Sequence, residues 1–335
     1  MDIDFVVLWV DGSDPKWQAE RSKYQSRGPR DSSSENRYRD WGFFRYWFRA
    51  VEEYAPWVRK IHFVTWGHIP DFLDTNNPKL HIVRHEEFIP KQYLPTFSSH
   101  TIELNIHRIE GLAEHFVYFN DDTFLLRPHK KSDFFRNGLP CVCANEHVFD
   151  MRCRPDIWFH AAINDICTVN AHYDKKTTLR LNWRKFISRK YRAKTVLQNV
   201  LCGILYPKYF LGFRIIHCPS VYLKSSFARA WEAEPELLEL TCSHKFRDNS
   251  DLNQWFILWS QIASGQFAPK EMDNQSIQIT DQSVDIICKC IERREHDMLC
   301  VHDSDDVDYE VINSRIIDAF ERILPNKSSY EVNAS

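Results

Sequence analysis

Phe116-Val117-Tyr118-Phe119-Asn120-Asp121-Asp122 carries four apolar or aromatic residues directly into an amide and two adjacent carboxylates. The apolar run has the length and character of a short buried strand. Open α/β sheets collect their ligands outside the carboxyl ends of the strands, and Asn-Asp-Asp would set hard oxygen donors there. Adjacent carboxylates repel, and holding them at a partly dry site is costly unless a cation compensates. Oxygen donors suit Mg²⁺ or Mn²⁺. The competing reading is an Asx turn with both aspartates in water.

A second acidic turn lies near the start of the chain. Ile3 to Val10 reads as a strand with continuous apolar character, as expected of a parallel strand covered on both faces. It runs into Asp11-Gly12-Ser13-Asp14-Pro15. In a parallel sheet the two acidic turns would share one edge. Residues 18 to 39 read as a long polar loop of the kind that forms lids, and Asp40 is placed to cap a helix from Trp41 to Tyr54. Strands follow at Lys60 to Trp66 and Leu80 to Arg84. A helix from Ser98 or Ser99, with Ile102, Ile106, Ile109 and Ala113 in a stripe, leads back to Phe116. The order β, α, β, β, α, β favours a Rossmann-like sheet. Further helices are expected at Asp156 to Val169, Asp251 to Ala263 and Val311 to Leu324.

Composition narrows the function. The 335 residues suffice for one large core or two smaller ones, and a net charge of -3 argues against general nucleic-acid binding. Nine glycines form neither GxGxxG nor GxxxxGK[ST], which argues against a glycine-cradled phosphate. Ten scattered cysteines without a CxxC pair give no zinc ribbon and fit free thiols in a reduced, cytoplasmic protein. The apolar run Phe5 to Val10 is too short for a signal peptide, and no stretch approaches the roughly 18 residues of a membrane span. Lys175 to Lys194 holds nine lysines and arginines and no acid. It reads as a solvated basic helix, an attractor for an anionic acceptor, or a peripheral contact with the inner membrane surface, the last supported by Leu181, Trp183, Phe186 and Tyr191.

Ile3 to Pro15 resembles the first conserved block of the Stealth family of sugar-phosphate transferases. Arg37-Tyr-Arg-Asp-Trp41, the Ile61 to Trp66 strand with Gly67 and Pro70, and Phe119 to Asp122 with Arg127-Pro128 resemble the second. Ile163-Asn164-Asp165 with His217-Cys218-Pro219 resembles the third, and Lys245-Phe-Arg247-Asp-Asn-Ser-Asp251 the fourth. The blocks stand in the family's order across residues 1 to 265.

The resemblance implies a catalytic domain over residues 1 to 270, with a Rossmann-like, GT-A-like nucleotide-sugar-binding core sheet to about residue 130 and an acceptor or closing part from about 131 to 270. Residues 271 to 335 are then a smaller helical C-terminal extension. It implies transfer of a hexose 1-phosphate, commonly N-acetylhexosamine 1-phosphate, from a UDP-sugar to a carbohydrate hydroxyl in bacterial capsule synthesis, with release of UMP. Asp121 and Asp122 would hold Mg²⁺ or Mn²⁺ at the diphosphate. Asp11, Gly12, Arg37, Arg39, Asn120, Asn164 and Lys224 would face the donor. His217 would take the acceptor proton, and Arg247 would clamp phosphate oxygens. Lys224 stands where animal relatives carry arginine, and a lysine lacks the bidentate fork. Two other readings are a metal-dependent glycosyltransferase that releases UDP and a non-catalytic carbohydrate-binding subunit of capsule assembly.

Overall fold

The computed structural model describes residues 1–25, 41–149, 156–214, 216–303 and 309–332. Its centre is a five-stranded sheet in the order β3-β2-β1-β4-β8, formed by β1 (Ile3–Leu8), β2 (Ile61–Thr65), β3 (Leu80–Arg84), β4 (His115–Asn120) and β8 (Ser220–Leu223). The first four are parallel, with β1 flanked by β2 and β4, and β8 closes the edge antiparallel to β4. The chain steps outward from β1 to β3 and then crosses over to β4, so the strand order reverses between β1 and β4. Doubly wound sheets place their ligands at that point.

Alternation along the strands divides the core in two. Phe5, Val7, Phe63, Val117 and Phe119 face one cluster with α2 (Phe44–Tyr54), α12 (Val284–Arg293) and α13 (Tyr309–Ile323). Val6, Val64, Phe116, Tyr118 and Tyr222 face the other, with α6 (Ile157–His172), α9 (Lys224–Ala233), α10 (Pro235–Ser243) and α11 (Gln254–Ala263). Both faces are therefore covered, as the unbroken apolar strands require. The remaining helices are α1 (Pro15–Tyr24), α3 (His85–Phe88), α4 (Ser99–Asn105), α5 (Lys131–Phe134), α7 (Lys175–Phe186) and α8 (Ala193–Leu205). Strands β6 (Phe135–Arg136), β7 (Leu139–Val142) and β9 (Ala268–Pro269) make a small second sheet.

Three expectations are corrected. The segment from residue 18 begins within α1, not a loop, because Asp14 accepts from the Trp17 N–H as N-cap and Pro15 supplies a helical φ. The helix expected from Trp41 starts at Phe44, and Asp40 lies outside the described residues. The C-terminal segment is not purely helical. Within it β10 (Asn274–Gln278) and β11 (Met298–His302) form a third sheet with β5 (Thr123–Leu125), the strand that follows Asp122. The segment packs into the fold, with Ile287, Ile291, Leu299, Ile316 and Phe320 in the core cluster beneath β1 and β4. Buried Arg49 of α2 binds Glu331, Glu321 and the Leu324 carbonyl, fastening the end of the chain to the sheet layer.

Candidate active site

Leu8 pairs with Asn120, so the turns after β1 and β4 emerge side by side at the switch-point edge. The turn after β2 joins them. Thr65 Oγ1 donates to the His68 carbonyl and accepts from Gly67 N–H, and Gly67 holds a φ of +142° that suits only glycine. That loop aims Nδ1 of His68 at Asp11, whose backbone N–H donates to it over 3.1 Å. The Asp11 carboxylate closes an Asx turn, with Oδ1 accepting from Ser13 N–H at 2.8 Å and Ser13 Oγ at 2.6 Å. The Gly12 carbonyl accepts from Gln18. Asp14 is spent as a cap, and the Trp17 N–H chiefly holds its carboxyl below the usual range.

His217 arrives on the segment before β8 and completes the edge. Its Nε2 lies 3.0 Å from Nδ2 of Asn120 and 3.6 Å from Oδ2 of Asp122. Oδ2 of Asp122 accepts from the Cys300 thiol at 3.4 Å, and the Asp122 carbonyl accepts from Val301 N–H. Burial, with Asp122 second, pushes the Cys300 thiol far up, and it pushes Cys218 to about 12 with the same carboxylate adding. Both sulfurs thus stay protonated, and Cys300 serves as a donor. His302, behind Cys300, is held below its ordinary value by burial and then by His217. Oδ1 of Asp122 is buried and has no protein partner, while the neighbouring Asp121 is exposed. An orphaned hard oxygen, with the exposed carboxylate of the next residue in the chain, is a donor set of the kind Mg²⁺ or Mn²⁺ take, since these ions need few protein ligands when phosphates supply the rest.

A buried chain of groups backs this edge. Tyr118 shares a strand face with Asn120 and donates to its Oδ1 at 2.6 Å; its hydroxyl also lies 3.0 Å from Oε1 of Glu103 on α4. Burial and then the Glu103 carboxylate push the Tyr118 phenol far up, so it keeps its proton. One proton facing two acceptors can serve only one at a time. Deeper still, burial holds Asp165 well above the usual carboxylate range against the Asn253 N–H, with Glu103 and Asp251 adding.

The edge gathers Asp11, Gly12, Asn120, Asp121, Asp122 and His217. Arg247 lies on a loop beside it, donating to Ser99 Oγ at 2.6 Å and lowering Tyr118 electrostatically. That loop is clamped by Asp251, which accepts from His100, His244 and Asp248 N–H. Asn164 is occupied in the same clamp, its amide donating to the Asn249 and Asp251 carbonyls. Lys224 is placed elsewhere. Strand β8 runs antiparallel to β4 and carries the chain away from His217, so Lys224 donates to Glu114 and Leu112 at the opposite edge, roughly 20 Å of strand from Asn120. Arg37 and Arg39 lie outside the described residues. The reading from sequence missed His68, Tyr118, Glu103 and Cys300. Only Tyr118 gave a signal, two residues before Asn120 on one strand face.

The mostly parallel sheet thus carries an acidic switch-point edge with a histidine brought to it, the place where open α/β folds bind their ligands. Models of "Stealth protein CR1, conserved region 1" and "Stealth protein CR2, conserved region 2" match residues 1–28 and 37–142. The chain is 40% identical over 334 residues to a capsular polysaccharide phosphotransferase WcwK of Streptococcus pneumoniae, covering 98% of each. It is 39% identical to a receptor polysaccharide phosphotransferase WefC of Streptococcus gordonii, over 98% of this chain and 99% of that one. It is 35% identical to the exopolysaccharide phosphotransferase cps2G of Lactiplantibacillus plantarum, over 98% and 96%. The chain belongs to the Stealth family, and it is a phosphotransferase.

Proposed function

We propose that the enzyme acts in capsular or exopolysaccharide synthesis, moving a hexose 1-phosphate from a UDP-sugar to a hydroxyl of a carbohydrate acceptor. The transferred group is N-acetylhexosamine 1-phosphate. The acceptor oxygen attacks the β-phosphorus of the donor, the bond from that phosphorus to the bridging oxygen breaks, and UMP leaves with the electron pair. The observation that carries this reading is His217 held against Asn120 and Asp122 at the switch-point edge.

His217 takes the acceptor proton. Its Nε2 is already engaged by Asn120, and among the described residues Nδ1 has no partner, so Nδ1 is the nitrogen left for substrate. That role needs the proton on Nε2. Turning the Asn120 amide supplies it: His217 Nε2–H then donates to Oδ1, Nδ2–H to the Tyr118 oxygen, and Tyr118 O–H to Glu103. Glu103 and Tyr118 therefore position the base. Arg247 steadies phosphate oxygens from the loop that Asp251 and Asn164 clamp. Asp121 and Asp122 would hold Mg²⁺ or Mn²⁺, which when bound neutralises charge on the diphosphate and the leaving UMP. Such chemistry belongs at the cytoplasmic face of the membrane, where nucleotide sugars are supplied.

Phosphorus NMR of the polymer product tests this directly. A phosphodiester resonance that requires both donor and acceptor is expected. A glycosidic product without phosphorus contradicts the proposal and favours the glycosyltransferase reading.

A further inference from the structure

Helix α8 is inside out. Its fully buried side chains are Thr195, Asn199 and Cys202, and of its aliphatic side chains Val196 alone among the described residues packs, partly buried, against the core. Its solvent-facing ones are Leu197, Leu201, Ile204 and Leu205, at 60, 46, 69 and 65% exposure. These four fall at i, i+4, i+7 and i+8, a single apolar stripe on the outer face. Polar anchors keep the helix in this orientation. Asn199 donates to the Ala144 and Phe186 carbonyls and accepts from Glu146 N–H, while Thr195 donates to Glu271. Buried Lys175 pairs with Glu146 and caps the helix end through the Cys202, Tyr206 and Tyr209 carbonyls. The stripe cannot roll inward without breaking all of these bonds.

The apolar exposure is concentrated there. Nine of the eighteen exposed large apolar side chains among the described residues lie between Leu181 and Tyr209, with Leu181 and Trp183 on the preceding α7 and Ile187 at its C-cap. The charge on the same segment has one sign: Lys175 to Tyr209 contains ten lysines and arginines and no acid. Arg192 is spent on Asp273, and Asp174, the cap of α7, lies beside Lys176 and Arg180. No ion pair among the described residues engages Arg180, Arg184, Arg189, Lys190 or Lys194.

We infer that α8 and the adjoining end of α7 dock the enzyme on an anionic lipid bilayer, with Leu197, Leu201, Ile204 and Leu205 entering the headgroup boundary and the flanking cations meeting anionic headgroups. An apolar stripe bordered by lysine and arginine partitions into such an interface, and basic residues near it add roughly fivefold each. A soluble anionic polymer would use the cations and leave the stripe in water. A second copy would bring two basic surfaces together, which is unfavourable. Tyr209 lies eight residues before His217 in the chain, so the docked face leads directly into the catalytic segment.

The test is vesicle co-sedimentation of the full chain, which is read without reference to the nucleotide released. Vesicles of phosphatidylcholine with phosphatidylglycerol are compared with phosphatidylcholine alone at low salt. The native protein is expected to sediment with the anionic vesicles only. The combined variant Leu197→Gln, Leu201→Gln, Ile204→Gln and Leu205→Gln is expected to lose at least about tenfold in partition. Its circular dichroism and its turnover on a soluble acceptor should be unchanged, since these side chains touch neither core nor site. Equal sedimentation of variant and native protein overturns the inference. So does a native protein that stays in the supernatant, or a dimer in sedimentation velocity that the variant dissociates without any vesicle binding.

Discussion

Nε2 of His217 lies 3.0 Å from the Asn120 amide, although 97 residues separate them in the chain. The contact exists because β8 pairs antiparallel with β4, which brings the segment before β8 to the carboxyl end of β4. A histidine so placed meets the acidic turn without belonging to a parallel strand.

Replacing His217 by Ala is expected to lower kcat by on the order of 10² to 10⁴, the range for a lost general base. The donor should still bind, because the side chain is half exposed and no core contact depends on it. Stopped-flow turnover with donor titration by calorimetry separates the two effects. Unchanged kcat would remove His217 from the chemistry.

Tyr118→Phe deletes the hydroxyl shared by Asn120 and Glu103. The buried Glu103 carboxyl then loses its donor, which costs about 1–3 kcal/mol of stability. A drop of about tenfold in kcat with an altered pH profile is expected if the relay orients the base. Loss of stability with an unaltered pH profile would reduce Tyr118 to a structural role.

Stability should fall in acid. Burial, with His68 nearby, lowers His85 from 6.5 to about 4, and burial with Arg108 nearby does the same for His107. Both are neutral in the folded state, so the unfolded chain binds more protons between pH 6.5 and about 4, and stability drops through that window as pH falls. For fully buried His85 the loss is on the order of 3 kcal/mol. Thermal unfolding from pH 7 to 4 should show a shallower slope for His85→Leu than for the native protein; equal slopes would contradict this.

The C-terminal segment should be indispensable to folding. Glu331→Ala leaves buried Arg49 without its main partner, at a cost of about 3–5 kcal/mol. Chemical denaturation measures it. A chain ending at residue 303 is expected to be insoluble, since it loses Ile312, Ile316 and Phe320 from the core.

Much of the central sheet was legible from local pattern. Strands β1, β2 and β4 are largely apolar runs that end in turn residues, while β3 interleaves His81 and Arg84 and passes straight into α3. The shared acidic edge followed from parallel pairing alone. What could not be read was long-range and polar. Cys300 meets Asp122 only because β11 pairs with β5 in one register, and nothing local in Met298 to His302 announces that partner. Lys224 was misplaced because motif order says nothing of strand direction; one antiparallel strand put it at the far edge. Helix α8 was hidden because its apolar period reads the same whether the stripe faces in or out. Asn199 and Lys175 decide that, through partners distant in sequence.

The leaving nucleotide tests the central claim most directly. Purified enzyme, UDP-N-acetylglucosamine, Mg²⁺ and a short capsule-type oligosaccharide are incubated, and products are resolved by anion exchange. Release of UMP that depends on acceptor, and that is lost in His217→Ala, is the predicted result. Release of UDP would contradict it, because the bond broken would then be the one between sugar and phosphate.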